Sequence, residues 1–285
     1  MSFYSIKVDQ PVSLSKTPTS YNTNLDKKEL KDILKQLRKQ IALIQEKLYA
    51  HNKYAVLICL QGMDTAGKDS LIREVFKNVN VSGIRVTSFK KPSKKEHEHD
   101  FLWRHYRALP EKGCFGIFNR THYENVLITK VHPTYLLLER LPDLNQPEDA
   151  TQEFWNNRYK SIVNFEEHLV CNGTIVLKFF LHLSKEEQKN RLLRRLNLPE
   201  KNWKFEAGDI EERKRWNDYQ IAYENAIQKT STSNVPWYII PADNKHCARI
   251  AVANTIIEVL SKYNDIDFPD SKFSANDIVE FKTQL

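Results

Sequence analysis

The sequence predicts an α/β protein, a parallel sheet with helices packed on both faces. Two observations predict it. Five short apolar or β-branched runs alternate with helical patterns, the order expected of consecutive strand–helix–strand units. The first of these runs leads into Gly62-Met-Asp-Thr-Ala-Gly-Lys68, a match to GxxxxGK, and a helical pattern follows it directly.

Along the chain, residues 1–25 are rich in Ser, Thr, Pro and Asn. They read as an extended arm lying against the body or against a neighbouring subunit, so a homo-oligomer is expected. From Asp26, Leu30, Ile33, Leu34, Leu37, Ile41, Ile44 and Leu48 recur at helical spacing, which predicts an amphipathic helix ending near His51. The runs Tyr54 to Gln61, Ile84 to Phe89, Cys114 to Asn119, Thr174 to Leu181 and Val235 to Pro241 read as strands. Between them lie helical patterns at Gly67 to Asn78, His97 to Leu109, Tyr123 to Leu141 and Thr151 to Cys171.

The stretch from Ser184 to Thr230 is longer and charged, with Arg191, Arg194, Arg195, Lys201, Lys204, Arg213, Lys214 and Arg215. It reads as a helical lid; a pair of solvated surface helices would carry the same pattern. Lys245 to Tyr263 predicts a closing helix. One domain is therefore expected over 26–265, with the lid at about 184–230 and a loosely held tail at 266–285.

The 285 residues suffice for a full core, and 41% hydrophobic with 28% charged residues is a globular composition. A net charge of +7 favours polyanionic partners without choosing among nucleic acid, acidic membrane and phosphate compounds. Cys59, Cys114, Cys171 and Cys247 form no CxxC pair, which excludes the usual zinc and disulfide frameworks and predicts reduced, mostly buried thiols. No run approaches the roughly 20 apolar residues of a membrane span, and the first fifteen residues lack a signal-peptide pattern. A cytoplasmic protein is expected.

In GxxxxGK loops, backbone N–H groups cradle phosphate and the lysine meets its charge. Gly62, Ala66, Gly67 and Lys68 are thus candidate phosphate-binding positions. Asp69 stands where a magnesium-binding Ser or Thr is usual, so the metal falls to carboxylates, with Asp64 placed to hold magnesium directly or through water. After the third strand run comes Asn119-Arg-Thr-His-Tyr-Glu124. Asn119 occupies the position of a common metal-binding Asp, Arg120 is a natural phosphate clamp, and Glu124 is a carboxylate one turn on.

These segments resemble the polyphosphate kinase 2 family. The resemblance rests on Gly62 to Asp69, on Phe89-Lys-Lys-Pro-Ser93 with His99-Asp-Phe-Leu-Trp-Arg104, and on Phe118-Asn-Arg-Thr-His-Tyr-Glu124. It continues through Trp203-Lys-Phe205, Trp216 and Ile240-Pro-Ala-Asp243, covering roughly residues 30–260. It implies a P-loop fold similar to nucleoside monophosphate kinases, a helical lid, a basic channel for polyphosphate and dependence on Mg2+. By the same resemblance Asp64 and Lys68 belong to the phosphate loop and Arg120 to the second motif. Lys90 and Arg104 fall near the channel, and Arg191 and Arg195 on the lid. Thr121-His-Tyr-Glu-Asn125 resembles the class III branch, whose members accept both nucleoside monophosphates and diphosphates.

The function so implied is reversible phosphoryl transfer from inorganic polyphosphate to AMP and ADP, with ATP among the nucleotides bound and no nucleic acid or membrane partner. An ATP-dependent nucleoside monophosphate kinase is the second reading, and a non-catalytic nucleic-acid-binding protein with a relic P-loop the third. A metal reading of His97, His99 and Asp100 is set aside, since helical residues two apart face different ways. Trp103, Trp155, Trp203, Trp216 and Trp237 read as packing residues, and no motif supports Ser-His-Asp or Cys-His chemistry.

Overall fold

The computed structural model describes residues 5–203 and 205–285; the first four residues of the arm and Lys204 of the charged stretch lie outside them. Among the described residues the strands are β1 (Ile6–Val8), β2 (Ala55–Gly62), β3 (Ile84–Ser88), β4 (Phe115–Asn119), β5 (Thr174–His182) and β6 (Trp237–Pro241). They form one sheet in the order β1-β6-β5-β2-β4-β3. β1 runs antiparallel to β6, and every other neighbouring pair is parallel.

The helices are α1 (Lys27–His51), α2 (Lys68–Val75), α3 (Lys94–His97), α4 (Trp103–Tyr106), α5 (Glu124–Val131) and α6 (Gln152–Cys171), then α7 (Lys185–Asn197), α8 (Pro199–Asn202), α9 (Gly208–Lys214), α10 (Trp216–Thr230), α11 (Lys245–Leu260) and α12 (Ala275–Gln284). α1 starts where Asp26 and Glu29 form a capping box, and it stops at Asn52 in the left-handed conformation. Its Leu30, Leu34, Ile41 and Leu48 are buried beneath α2 and α11, on the face of β2 that carries Val56, Ile58 and Leu60. The alternate residues Leu57 and Cys59 pack on the opposite face with Phe118, Phe165 and Leu169. Burial of all eight residues of β2 on both faces explains its unbroken apolar run.

Register positions the site. Leu60 of β2 lies opposite Asn119 of β4 on one side and Phe179 of β5 on the other. The P-loop after β2 and the turn after β4 therefore emerge side by side at the carboxyl edge of the sheet, where open α/β sheets bind their ligands.

Of the two placements expected for the arm, the described part takes the one against its own body: β1 pairs with β6, Leu14 is buried, and Thr19 Oγ1 donates to Asp243 Oδ2 at 2.7 Å. Three expectations are corrected. The helix expected over Tyr123 to Leu141 ends at Val131 and continues as a 3₁₀ segment, Pro133–Glu139, because proline lacks an N–H and restricts His132 before it. His97 to Leu109 is not one helix: α3 ends at His97, and only the four-residue α4 lies inside the stretch. The last third of the expected lid, α10, is a core helix whose Trp216, Ala222, Tyr223, Ala226 and Ile227 are buried with α5 and α6. The rest of the charged stretch forms α7 to α9.

The tail carries α12, none of whose residues is buried. Cys59 and Cys247 are buried, Cys114 is half-buried and Cys171 is exposed; all four thiols are free. No helix among the described residues is long and apolar enough to cross a membrane.

Candidate active site

The loop after β2 needs its glycines. Gly62 has φ 155°, and a Cβ there would meet the Leu181 carbonyl oxygen at 2.9 Å. Gly67, at φ 103°, turns the chain into α2. Lys68 folds back over the loop, its Nζ donating to the Gly62 carbonyl at 2.6 Å. Burial draws the Lys68 ammonium down to about 8; the Arg120 charge adds to this, and Asp64, Glu124 and Asp69 oppose it.

The chain leaving β4 makes the second half of the site. Arg120 adopts φ 60°, an uncommon conformation for a non-glycine residue, with its N–H donating to the Leu60 carbonyl. Its guanidinium lies between two carboxylates, Nη2 at 2.8 Å from Asp64 Oδ1 and Nη1 at 3.5 Å from Glu124 Oε2. Glu124, against burial and with help from Asp64, holds that guanidinium charged. Asn119 does not reach this cluster: its Nδ2 donates to Asp69 Oδ1 at 2.5 Å and to Ser88 Oγ at 3.3 Å. The amide thus pairs the Asp that replaces the usual loop hydroxyl, tying β4 to the start of α2.

Behind this turn is a dry polar network. Lys178 Nζ donates to Glu166 Oε2 at 2.6 Å, to the Thr230 carbonyl at 2.8 Å and to Tyr123 Oη at 3.0 Å. Glu166 Oε1 in turn accepts from Tyr123 Oη at 2.7 Å and pairs with His122 Nε2 at 3.0 Å. Despite its burial, Glu166 is held below the ordinary carboxylate range by Lys178 and His122, while burial and the Glu166 charge push the Tyr123 phenol well up. His122 and Tyr123 lie within the second motif, so the network fixes the backbone that presents Arg120 and Glu124. Thr121 adds to it: its Oγ1 accepts from Gln61 Nε2 and from the Tyr123 N–H, both at 3.1 Å.

α7 supports the loop from the other side. A guanidinium has five donors, and Arg191 uses them on the Glu187 carboxylate and on the carbonyls of Thr65, Ala66, Ala242 and Asp243. In this conformation it braces the P-loop and has no N–H left for phosphate. Gln188 Nε2 donates to the Asp64 carbonyl at 3.2 Å, and Arg195 pairs with Asp209 of α9 at 3.3 Å. Lys90 is exposed. Its carbonyl accepts from Arg104 Nη1 at 2.9 Å, and Arg104 also pairs with Glu96 and covers the Phe89 ring.

The expected residues Asp64, Lys68, Arg120 and Glu124 thus come together in one mouth, with Asn119 and Asp69 paired to each other beside it and Arg104 near enough for the Glu124 charge to act on it. Lys90 is at the surface, Arg191 turns its charge to Glu187 and the loop carbonyls, and Arg195 pairs with Asp209. Gln61, Glu166, Lys178, Gln188 and Asp209 were missed. Lys178 carries a signal that could have found it, a single lysine inside the apolar run of β5. A phosphoryl group on the loop amides would meet Lys68 and Arg120, with Asp64 and Glu124 beside it, an arrangement suited to positioning and neutralising a transferring phosphate.

Fold and site together define a P-loop phosphotransferase. The profile of the family described as Polyphosphate kinase 2 (PPK2) matches residues 24–268, and the chain belongs to that family. It is 46% identical over 263 residues to an ADP-polyphosphate phosphotransferase of Rhodopseudomonas palustris, covering 92% of this chain and 90% of that one. It is 44% identical over 229 residues to an AMP/ADP-polyphosphate phosphotransferase of Meiothermus ruber, covering 80% of each. The crystal structure of Polyphosphate Kinase 2 from Arthrobacter aurescens superposes with a TM-score of 0.89 at 34% identity, covering 98% of this chain and 95% of that one.

Proposed function

We propose that this chain transfers the terminal phosphoryl group of inorganic polyphosphate to AMP and ADP, and that it can run in reverse. The observation that carries the reading is Arg120, set between Asp64 and Glu124 and beside Lys68 of the P-loop. Lys68 and the loop amides bind the transferring phosphate, and Arg120 orients it and offsets charge as the bond to the old oxygen breaks. The network of Lys178, Glu166, His122 and Tyr123 holds that guanidinium in place.

Magnesium fits this site. The ion usually takes one or two carboxylates plus substrate phosphates, and Asp64 with Glu124 offers two; no group of three His, Cys, Asp or Glu able to hold a metal occurs among the described residues. Asp64 and Glu124 would hold Mg2+, which when bound supplies further charge neutralisation on the phosphate oxygens.

The test is an incubation with magnesium, AMP or ADP, and either polyphosphate or ATP, followed by nucleotide analysis. ADP and ATP should form from polyphosphate. Turnover with ATP and AMP alone would favour an ATP-dependent monophosphate kinase, and salt-sensitive RNA binding without turnover would favour the relic P-loop.

A further inference from the structure

Thr65, in the middle of the phosphate loop, sits at φ 66°. For a β-branched residue that conformation is strained, and its own hydroxyl does not offset the cost: Oγ1 is buried without a hydrogen-bond partner among the described residues. The loop is held from α7 instead. Gln188 Nε2 donates to the carbonyl before Thr65, that of Asp64, at 3.2 Å. Arg191 lies on the same face of α7, and its Nη1 donates to the carbonyl of Thr65 itself at 3.1 Å. Both peptide planes flanking the strained residue are thus pinned.

Gln188 is 1% exposed, and its other end is also taken: Oε1 accepts from Arg213 Nη1 of α9 at 2.8 Å. A guanidinium only donates and a carbonyl only accepts, so these two neighbours fix which way the carboxamide points. Arg213 Nη1 donates to the Lys185 carbonyl as well, at 2.7 Å. The residue before it, Glu212, fastens α9 to the other half of the site. It pairs with His132 Nε2, directly after α5, at 2.9 Å and accepts from Tyr219 Oη at 2.6 Å. Since α5 begins at Glu124, a line of contacts runs from the second motif through α9 and Gln188 to Asp64 and Thr65.

We infer that Gln188 is a positioning residue: with α9 docked against the end of α5, Arg213 turns the carboxamide so that it holds Thr65 in the conformation that aims Asp64 and the loop N–H groups at the transferring phosphate. The inference rests on the loop holding that phosphate, whichever nucleotide accepts it. Without the carboxamide the Asp64–Thr65 peptide loses its pin, and Thr65 relaxes towards negative φ and turns Asp64 with it.

The experiment is steady-state transfer from polyphosphate to ADP, with Tm read alongside. Gln188→Glu keeps an acceptor for Arg213 and loses the N–H that holds Asp64, while Gln188→Met loses both ends and adds no charge. Each should lower kcat about tenfold, the order of one hydrogen bond's worth, with KM for ADP little changed. Arg213→Met leaves Gln188 its N–H but not its orientation. Combined with Gln188→Met, it should cost no more in kcat than Gln188→Met alone. Glycine takes positive φ without strain, so Thr65→Gly should restore most of the kcat that Gln188→Met loses, which a packing role for Gln188 would not allow. Unchanged kcat in both Gln188 variants, losses that add with Arg213→Met, or a loss that Thr65→Gly leaves in place would overturn the role. If the unaltered protein transfers no phosphate, the transfer reading itself fails and the role falls with it.

Discussion

Two charge clusters lie back to back along one turn. In front, Arg120 sits between Asp64 and Glu124, with side chains 41%, 32% and 21% exposed. Behind, Lys178 meets Glu166 with both side chains at most 1% exposed. The front contacts are half-wet, one of them 3.5 Å long, and pairs of that kind hold about 0.2–1 kcal/mol. Incoming phosphate can displace them. The rear pair is dry and Lys178 and Glu166 are both fully engaged, so losing one side costs about 3–5 kcal/mol. One cluster is built to exchange partners, the other to keep the first in register.

Breaking the front cluster should produce the largest effect, on rate. Arg120→Ala should lower kcat by about 10³ to 10⁵, and Lys68→Ala should abolish measurable transfer, while denaturant midpoints shift little. Lys28→Ala is the bystander. An Arg120 variant that unfolds rather than slows would erase the division between the clusters.

Breaking the rear cluster should act first on stability. Lys178→Met alone should cost about 3–5 kcal/mol, which for a chain of this size lowers Tm by roughly 10 °C. Adding Glu166→Leu removes the stranded carboxylate and should recover much of that loss. Turnover in the double variant should nevertheless stay low, because His122 and Tyr123 have lost their acceptor and the turn bearing Arg120 loosens. Recovery of stability and kcat together would show the network to be scaffold alone.

The alkaline limb of the pH profile reports on the front cluster. Burial holds Lys68 near 8 in the free protein, and on the proposed reading its ammonium is the form that meets phosphate. Below that pH the charge is present; above it, kcat/KM should fall about tenfold per pH unit. Bound phosphate favours the ammonium, so the limb in kcat should lie at higher pH. A kcat/KM flat to pH 10 would remove Lys68 from phosphate binding.

The front cluster was far more legible in the sequence than the rear one. A loop that must cradle phosphate is confined to a few residue types at fixed spacing, so Gly62, Gly67, Lys68 and the turn at Arg120 could be read locally. Glu166 pairs with Lys178 across twelve residues and with His122 across forty-four, and nothing in α6 marks one glutamate among its neighbours. The sheet shows the same split. Continuous burial made β2 and β5 plain, whereas β1 is three residues in a Ser- and Thr-rich arm and exists only through its pairing with β6. α10 was misjudged because the run of cations that marks the stretch ends at Arg215, directly before it, and its buried stripe of Trp216, Tyr223 and Ile227 was read with that run; the structure covers the stripe with α5 and α6.

The smallest expected effect separates the two carboxylates of the front cluster. Asp64 makes the shorter contact to Arg120 and belongs to the P-loop, so its loss should weaken transfer to any acceptor. Glu124 begins α5, makes the longer contact and is the less exposed of the two. An acceptor such as AMP brings fewer phosphate oxygens than ADP, and a carboxylate near it can supply the oxygen ligand that magnesium then lacks. Glu124→Gln keeps the shape and removes the charge, so it should lower kcat/KM for AMP about tenfold more than for ADP, at saturating polyphosphate and fixed free magnesium. Glu124 is also the strongest single influence holding Arg120 charged, and that loss should bear on both acceptors alike. The ratio therefore isolates the acceptor effect from the shared one. A parallel fall would assign Glu124 to the support of Arg120 alone, and no change at either acceptor would leave it as a carboxylate favoured by the start of α5.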